Sequence, residues 1–215
     1  MKFKNSFFIV IVIFHIFILT NCSKKIEESN RGGNITGSKV YIGVAWSDSK
    51  SDLFIEGIKL ALEEINKNNG VLGKKLDYIF KTETGDEQNA LDIAKTFSEN
   101  PNLIAVIGHG SSTGAIAASV TYFLDKVLFF TPRATAPSLT KNGLDNIFRL
   151  VSSDIYVGKC AAFLSQNLNA KKVAVANTID DYGRELSTVY MTEASNLDIS
   201  VVNKISILSG LANYH

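Results

Sequence analysis

Seven consecutive residues, Gly108-His109-Gly110-Ser111-Ser112-Thr113-Gly114, combine three glycines with three hydroxyls. The run before them, L-I-A-V-I over residues 103–107, has the unbroken apolar character of a strand buried on both faces. Residues 115–123 then show helical apolar spacing. A second hydroxyl-bearing loop, Thr131-Pro132-Arg133-Ala134-Thr135, closes another apolar run over 127–130, read as a second buried strand. Free N–H groups and the positive end of a helix dipole favour an anion where the first loop enters its helix. Ser111, Ser112, Thr113 and Thr135 can add side-chain donors. The implied chemistry is capture of a small carboxylate-bearing ligand at the C-terminal ends of parallel strands, where open α/β sheets keep their sites. Each hydroxyl also has a use in helix caps or turns; convergence on adjacent strand-ends favours Ser112 and Thr135 as ligand contacts.

Gly110 to Gly114 also matches G-x-S-x-G, the pattern of a hydrolase nucleophile elbow. Ser112 would then need an acid and a histidine later in the chain. The histidines are His15, His109 and His215, and none lies in a suitable loop. The reading is therefore of no catalytic residue, with a serine hydrolase using Ser112 as the alternative. His109 is expected to be a loop residue bonded to backbone. The glycine pattern from Gly108 is a weak dinucleotide hint, because the strand over 127–130 ends in Thr131 rather than an acid. Cysteine and histidine are too few for a metal cluster, so neither metal nor cofactor is expected.

The elements that must position these loops repeat as strand then helix. Residues 40–45 read as a strand, 52–68 as an amphipathic helix capped by Ser51 or Asp52 and ended by Asn69-Gly70, and 76–80 as an alternating strand. Residues 86–98 read as a helix stopped by Asn100-Pro101. After the two central strands come a short strand at 147–150, a helix to about 167 capped by Asp154, a buried strand at 172–176, and a loop at 179–184. A helix at about 185–195 and an alternating strand at 200–205 complete the pattern. Such an order means an α/β fold, a parallel sheet flanked by helices. Cys160 falls on a helical apolar stripe and reads as a small buried core residue.

The chain has 215 residues. Lys2 and Lys4 precede an apolar run over 7–19, the build of a signal peptide spanning 1–21. The run ends Leu19-Thr20-Asn21-Cys22, which resembles the bacterial lipobox and marks Cys22 for lipidation, with Asn21 departing from its usual Gly or Ala. Residues 22–38 are polar and glycine-bearing and read as a flexible tether. Taking the two leader lysines from 22 basic residues leaves 20 against 21 acidic ones, which gives nucleic acid no electrostatic footing as a partner.

Five blocks carry a resemblance: G-I-K-L-A-L-E-E-I-N-K-N-N-G-V-L-G-K-K-L from Gly57, V-I-G-H-G-S-S-T from Val106, T-P-R-A-T-A-P-S-L-T from Thr131, F-R-L-V-S-S-D from Phe148 and K-K-V-A-V-A-N-T-I-D-D-Y-G from Lys171. In this order and spacing they resemble the leucine/isoleucine/valine-binding protein family of ABC transporters, the type I periplasmic-binding fold. The resemblance implies a complete first lobe over 39–150 and a partial second lobe over 151–215. It implies an extracytoplasmic lipoprotein, held by Cys22 on a membrane, that binds an amino acid or similar small carboxylate of branched-chain type and hands it to ABC permease subunits. A sensory ligand-binding domain on the same fold is the alternative. By resemblance, Ser112 takes the ligand carboxylate, Thr135 the carboxylate and amine, Arg133 offers its backbone carbonyl to the amine, and Tyr182 closes over the ligand. Three departures stand out. The loop at 47–51 lacks an aromatic, for which Trp46 could substitute. Arg133 replaces a small residue, and its side chain could meet an extra acidic group on the ligand or point to solvent. The deeper second-lobe acid for the ligand amine has no counterpart.

Overall fold

The computed structural model describes residues 35–47, 53–141 and 143–208. The signal segment, Cys22, most of the tether, the candidate caps Ser51 and Asp52, and His215 lie outside the described residues.

Strand β1 (Lys39–Trp46) leads to helix α1 (Phe54–Lys67), and β2 (Lys75–Thr82) to α2 (Glu87–Ser98). Next come β3 (Leu103–Gly108), α3 (Ser112–Leu124), β4 (Leu128–Thr131), the one-turn α4 (Ser138–Lys141) and β5 (Ile147–Arg149). These five strands form one parallel sheet in the order β2-β1-β3-β4-β5. Then α5 (Asp154–Asn167), β6 (Lys172–Thr178), α6 (Asp181–Asn196) and β7 (Ser200–Ile207) follow, with β6 and β7 paired in parallel as a separate sheet.

Period-two alternation in β1 explains how both faces of the large sheet are filled. Val40, Ile42, Val44 and Trp46 pack with Ile58 and Leu62 of α1 and Leu76 of β2. Ala45, on the other parity, joins Ala90, Ile93, Ala94 and Phe97 of α2 and Ala115, Ala118 and Tyr122 of α3. Gly43 is small because Phe97 occupies the space a side chain would need: a Cβ there would sit 2.8 Å from the ring. Ile35 packs on the first cluster, and Thr36 N–H donates to Asn102 Oδ1 at 3.0 Å.

Four expectations need correction. The run 127–130 is not buried on both faces: Phe129 is buried but Leu128 is exposed, since among the described residues the helix on that face, α1, packs at β1 and β2. The run 172–176 is likewise only partly covered, because its sheet has two strands and packs on α5 and α6. Residues 181–184 are not loop but the first turn of α6, capped by Asp180, whose side chain accepts from Gly183 N–H. Cys160 is exposed rather than core; α5 turns Gly158 and Ala162 inward instead.

Replacing Gly43 with alanine should overpack the β1–α2 contact and destabilise the fold by about 1–3 kcal/mol. Urea unfolding monitored by circular dichroism reads this directly; an unchanged midpoint would mean the packing of Phe97 on β1 is misplaced.

Candidate functional site

The C-terminal end of β3 turns sharply into α3. Gly108 has φ 148° and its Cβ would collide with Ala45 backbone, so only glycine fits; His109 follows at φ 50°. Ser111 caps α3, accepting from Gly114 N–H at 2.9 Å and donating to the Gly85 carbonyl at 3.1 Å. Its hydroxyl is thus used locally. The helix begins at Ser112, leaving first-turn N–H groups directed out of the strand end.

Ser112 Oγ accepts from two backbone amides of the neighbouring loop, Thr135 at 3.3 Å and Ala136 at 3.2 Å. Both lone pairs are engaged and the hydroxyl proton is left to donate. Thr135 is held on every side. Its hydroxyl donates to Asp154 Oδ2 at 2.9 Å, and its carbonyl accepts from Asp154 N–H at 3.0 Å and from the Arg149 guanidinium at 3.2 Å. Arg149 also donates to the Ala136 carbonyl at 2.7 Å and to Thr140 Oγ1 at 2.7 Å, so one side chain staples the whole loop. With its proton committed, Thr135 Oγ1 can offer a lone pair to a ligand. Asp154, read as a helix cap, is instead the first residue of α5; Ser153 is the cap, and Asp154 serves Thr135.

A cavity of about 560 Å³ opens at this point. Ser112, Thr113, Arg133 and Thr135 line it from the large sheet, together with Gly85, Gly110 and Ser111. Asp180 and Tyr182 line it from the start of α6. Two links tie α6 to the large sheet: Asp181 N–H donates to Thr113 Oγ1 at 3.2 Å, and Ser138 donates to the Glu185 carboxylate through both its amide, at 2.9 Å, and its hydroxyl. Four of the five expected ligand contacts, Ser112, Arg133, Thr135 and Tyr182, therefore face one space. Trp46 does not line it: the indole is buried and stacked on Phe54 with centroids 4.1 Å apart, beneath Gly110.

Beneath the first loop lies a buried polar group. His109 Nδ1 is 3.1 Å from Glu83 Oε1, and Nε2 is 2.9 Å from the Tyr122 hydroxyl. Glu83 Oε2 accepts from Gly110 N–H at 2.6 Å. Burial, then the Glu83 charge, pushes the Tyr122 phenol well above its ordinary value, so it keeps its proton beside His109 Nε2. The carboxylate can only accept, so a proton sits on Nδ1 facing it. His109 is thus bonded through its ring to side chains, not to backbone as expected, and both ring nitrogens are committed away from Ser112. Glu83, Asp180 and Arg149 are the site residues that sequence reading missed. Arg149 had one signal, a charge placed directly at the end of a short apolar strand; Glu83, which follows Lys81 and Thr82, had none. Among the described residues no group of three or more potential ligands could hold a metal ion, and no helix is long and apolar enough to cross a membrane.

Burial raises the Asp154 carboxyl above its ordinary value, opposed by the Thr135 hydrogen bond and the Arg149 charge. The native state therefore holds this proton more tightly than the unfolded chain. The stability it adds is full below the ordinary carboxylate value of 3.8 and is lost as pH rises through the native value. Asp154→Asn should remove that pH dependence, flattening the change in urea midpoint between about pH 4 and about pH 7 relative to wild type. Glu83→Ala should orphan the buried His109 donor, at about 1–3 kcal/mol, and free the half-buried Gly110 N–H, measured by the same unfolding assay.

Residues 56–212 match the family described as the receptor family ligand binding region. An amino acid binding protein of Pseudomonas aeruginosa is 30% identical over 169 residues, covering 76% of this chain and 45% of that protein. A leucine-, isoleucine-, valine-, threonine- and alanine-binding protein from the same organism is 30% identical over 180 residues, covering 83% of this chain and 45% of its own. Among solved structures, an ABC transporter substrate-binding protein from Desulfitobacterium hafniense in complex with Leu has a TM-score of 0.68 at 32% identity, covering 80% of this chain and 52% of that one. A leucine binding protein from Thermotoga maritima has a TM-score of 0.71 at 26% identity, covering 81% and 50%. The chain spans about half the length of the curated relatives it matches. The parallel sheet flanked by helices is that of the type I periplasmic binding proteins, and the chain belongs to the receptor family ligand binding region family.

Proposed function

We propose that this chain is the ligand-capturing part of an extracytoplasmic solute-binding protein of an ABC transporter, and that its ligand is an amino acid or a similar small carboxylate. One observation carries the reading: the cavity wall carries unspent donors at the start of α3. Ser112 keeps its proton because two amides fill its lone pairs, and the first-turn N–H groups of α3 stand beside it. A carboxylate placed there replaces its water shell with fixed dipoles at a helix N-terminus. Thr135 Oγ1 and the uncommitted oxygen of Asp180 are acceptors for an ammonium group; Asp180 Oδ1 is already bonded to Gly183 N–H at 2.7 Å and Thr178 Oγ1 at 2.8 Å. Tyr182, half exposed on the first turn of α6, can close over the guest. The names of the relatives, amino acid and branched-chain amino acid binders, support this assignment.

The same reading takes the segment 1–21 as an export signal and Cys22 as the lipid attachment point, with ABC permease subunits as the receiving partner at the cell envelope. Each buried acyl CH₂ contributes about 0.8 kcal/mol of membrane affinity, so two or more chains hold a protein durably.

In a thermal-shift screen of the common amino acids, a ligand at 100 times its Kd should add about 2.7 kcal/mol, which is about 5–10 °C in Tm for a chain of this size. Ser112→Ala should abolish that shift. A screen in which no amino acid and no small carboxylate moves Tm would overturn the proposal. Cys22→Ser, expressed in a bacterial host, should move the protein from the membrane fraction to the soluble envelope fraction; continued membrane retention would exclude the lipid anchor.

A further inference from the structure

We propose that this cavity selects a small ligand carrying a second anionic group, an acidic amino acid or dicarboxylate, and that Arg133 is the residue that reads it. The inference rests on the solute-binding assignment and narrows the ligand.

The lining supports it in two ways. Among the described residues, no leucine, isoleucine, valine or phenylalanine lines the cavity; the one large apolar surface is the Tyr182 ring. An aliphatic side chain gains affinity by leaving water for an apolar wall, and this wall offers hydroxyls, glycine backbone and charges instead. The cavity also holds one basic side chain, Arg133, and it is uncommitted. Arg133 is bonded only through its backbone N–H, 3.5 Å from Thr131 Oγ1, and its guanidinium forms no ion pair among the described residues. Every other arginine there is engaged: Arg149 staples residues 135–140, and Arg184 pairs with Asp181. Once the ammonium of an amino acid meets Asp180 and its carboxylate meets the α3 N-terminus, the Arg133 guanidinium is the charge in the lining still without a counterpart.

Three positions in the lining then divide the work. The first carboxylate meets the α3 N-terminus and Ser112. An ammonium group, where the ligand has one, meets Asp180 and Thr135 Oγ1. The second anionic group meets Arg133, whose planar fork matches a carboxylate in two parallel hydrogen bonds. An exposed ion pair is worth little in open solvent. Here the guest and Tyr182 would exclude water from it, and a hydrogen bond between charged groups then discriminates by about ten-fold or more.

Isothermal titration of the full chain with L-glutamate, L-aspartate, glutarate and L-leucine, against wild type, Arg133→Ala and Arg133→Lys, tests this. The expected result is that at least one diacid binds wild type at least about ten-fold more tightly than L-leucine. Arg133→Ala should weaken the best diacid at least about ten-fold, a larger loss than it causes for L-leucine, and Arg133→Lys should retain part of the diacid affinity. Arg133 is exposed, so its removal should leave the unfolding midpoint where it was. Tighter binding of L-leucine than of every diacid, indifferent to Arg133→Ala, overturns this inference and leaves the amino-acid assignment standing. Absence of binding by any of the four probes, confirmed in the wider amino-acid screen, overturns both.

Discussion

The site depends on one hydroxyl. Ser112 Oγ accepts the amides of residues 135 and 136 while sitting at the first position of α3. In doing so it fastens the loop after β4 to the helix after β3, and turns two separate strand ends into one wall. The geometry is sparing, since the atom that binds the loops together still holds a proton for a guest. Backbone amides do not titrate, and the Ser112 and Thr135 hydroxyls are already held by hydrogen bonds, so this part of the wall is preorganised before any ligand arrives.

A second constraint lies below. The loop 108–111 makes a turn with two residues at positive φ, and such a turn persists only when its surroundings over-determine it. The surroundings are Glu83, His109 and Tyr122, all buried, with the His109 ring bonded to the other two and Glu83 also gripping the Gly110 amide. The chain thus spends a buried carboxylate, which is costly unless fully satisfied, on the backbone that presents α3 to the cavity. The opposite loop is held in the same manner by Arg149 and Asp154. Both walls are rigid for reasons that lie outside the cavity.

Much of this was legible in the residue order. Alternating strands and helices foretell a parallel sheet, because a crossover helix leaves few other arrangements. The hydroxyl loops after residues 107 and 130 foretell a site at the strand ends. Side-chain partners were not legible. Nothing local distinguishes Ser111, which caps α3, from Ser112, which bridges two loops; the difference is which way one turn faces. Asp154 looks like a cap from its neighbours and becomes a partner of Thr135 only once β4 and α5 are brought together. Trp46 follows the parity of β1 into the core, and its neighbour Phe54, across the loop, settles it there. Cys160 shares a stripe with apolar residues, yet α5 buries its small residues instead, since Gly158 must let Val189 of α6 approach. Long-range pairing decides each of these, and periodicity carries no information about it.

The central claim is that amides and a serine proton at the α3 N-terminus take the place of water around a carboxylate. Amide resonances of an isotope-labelled chain, followed while L-leucine, L-glutamate or glutarate is added, report on that claim atom by atom. The account predicts saturable shifts concentrated at Ser112, Thr113, Thr135 and Ala136, with the amides of α1 unmoved. Saturable shifts centred elsewhere, with these four residues silent, would contradict it.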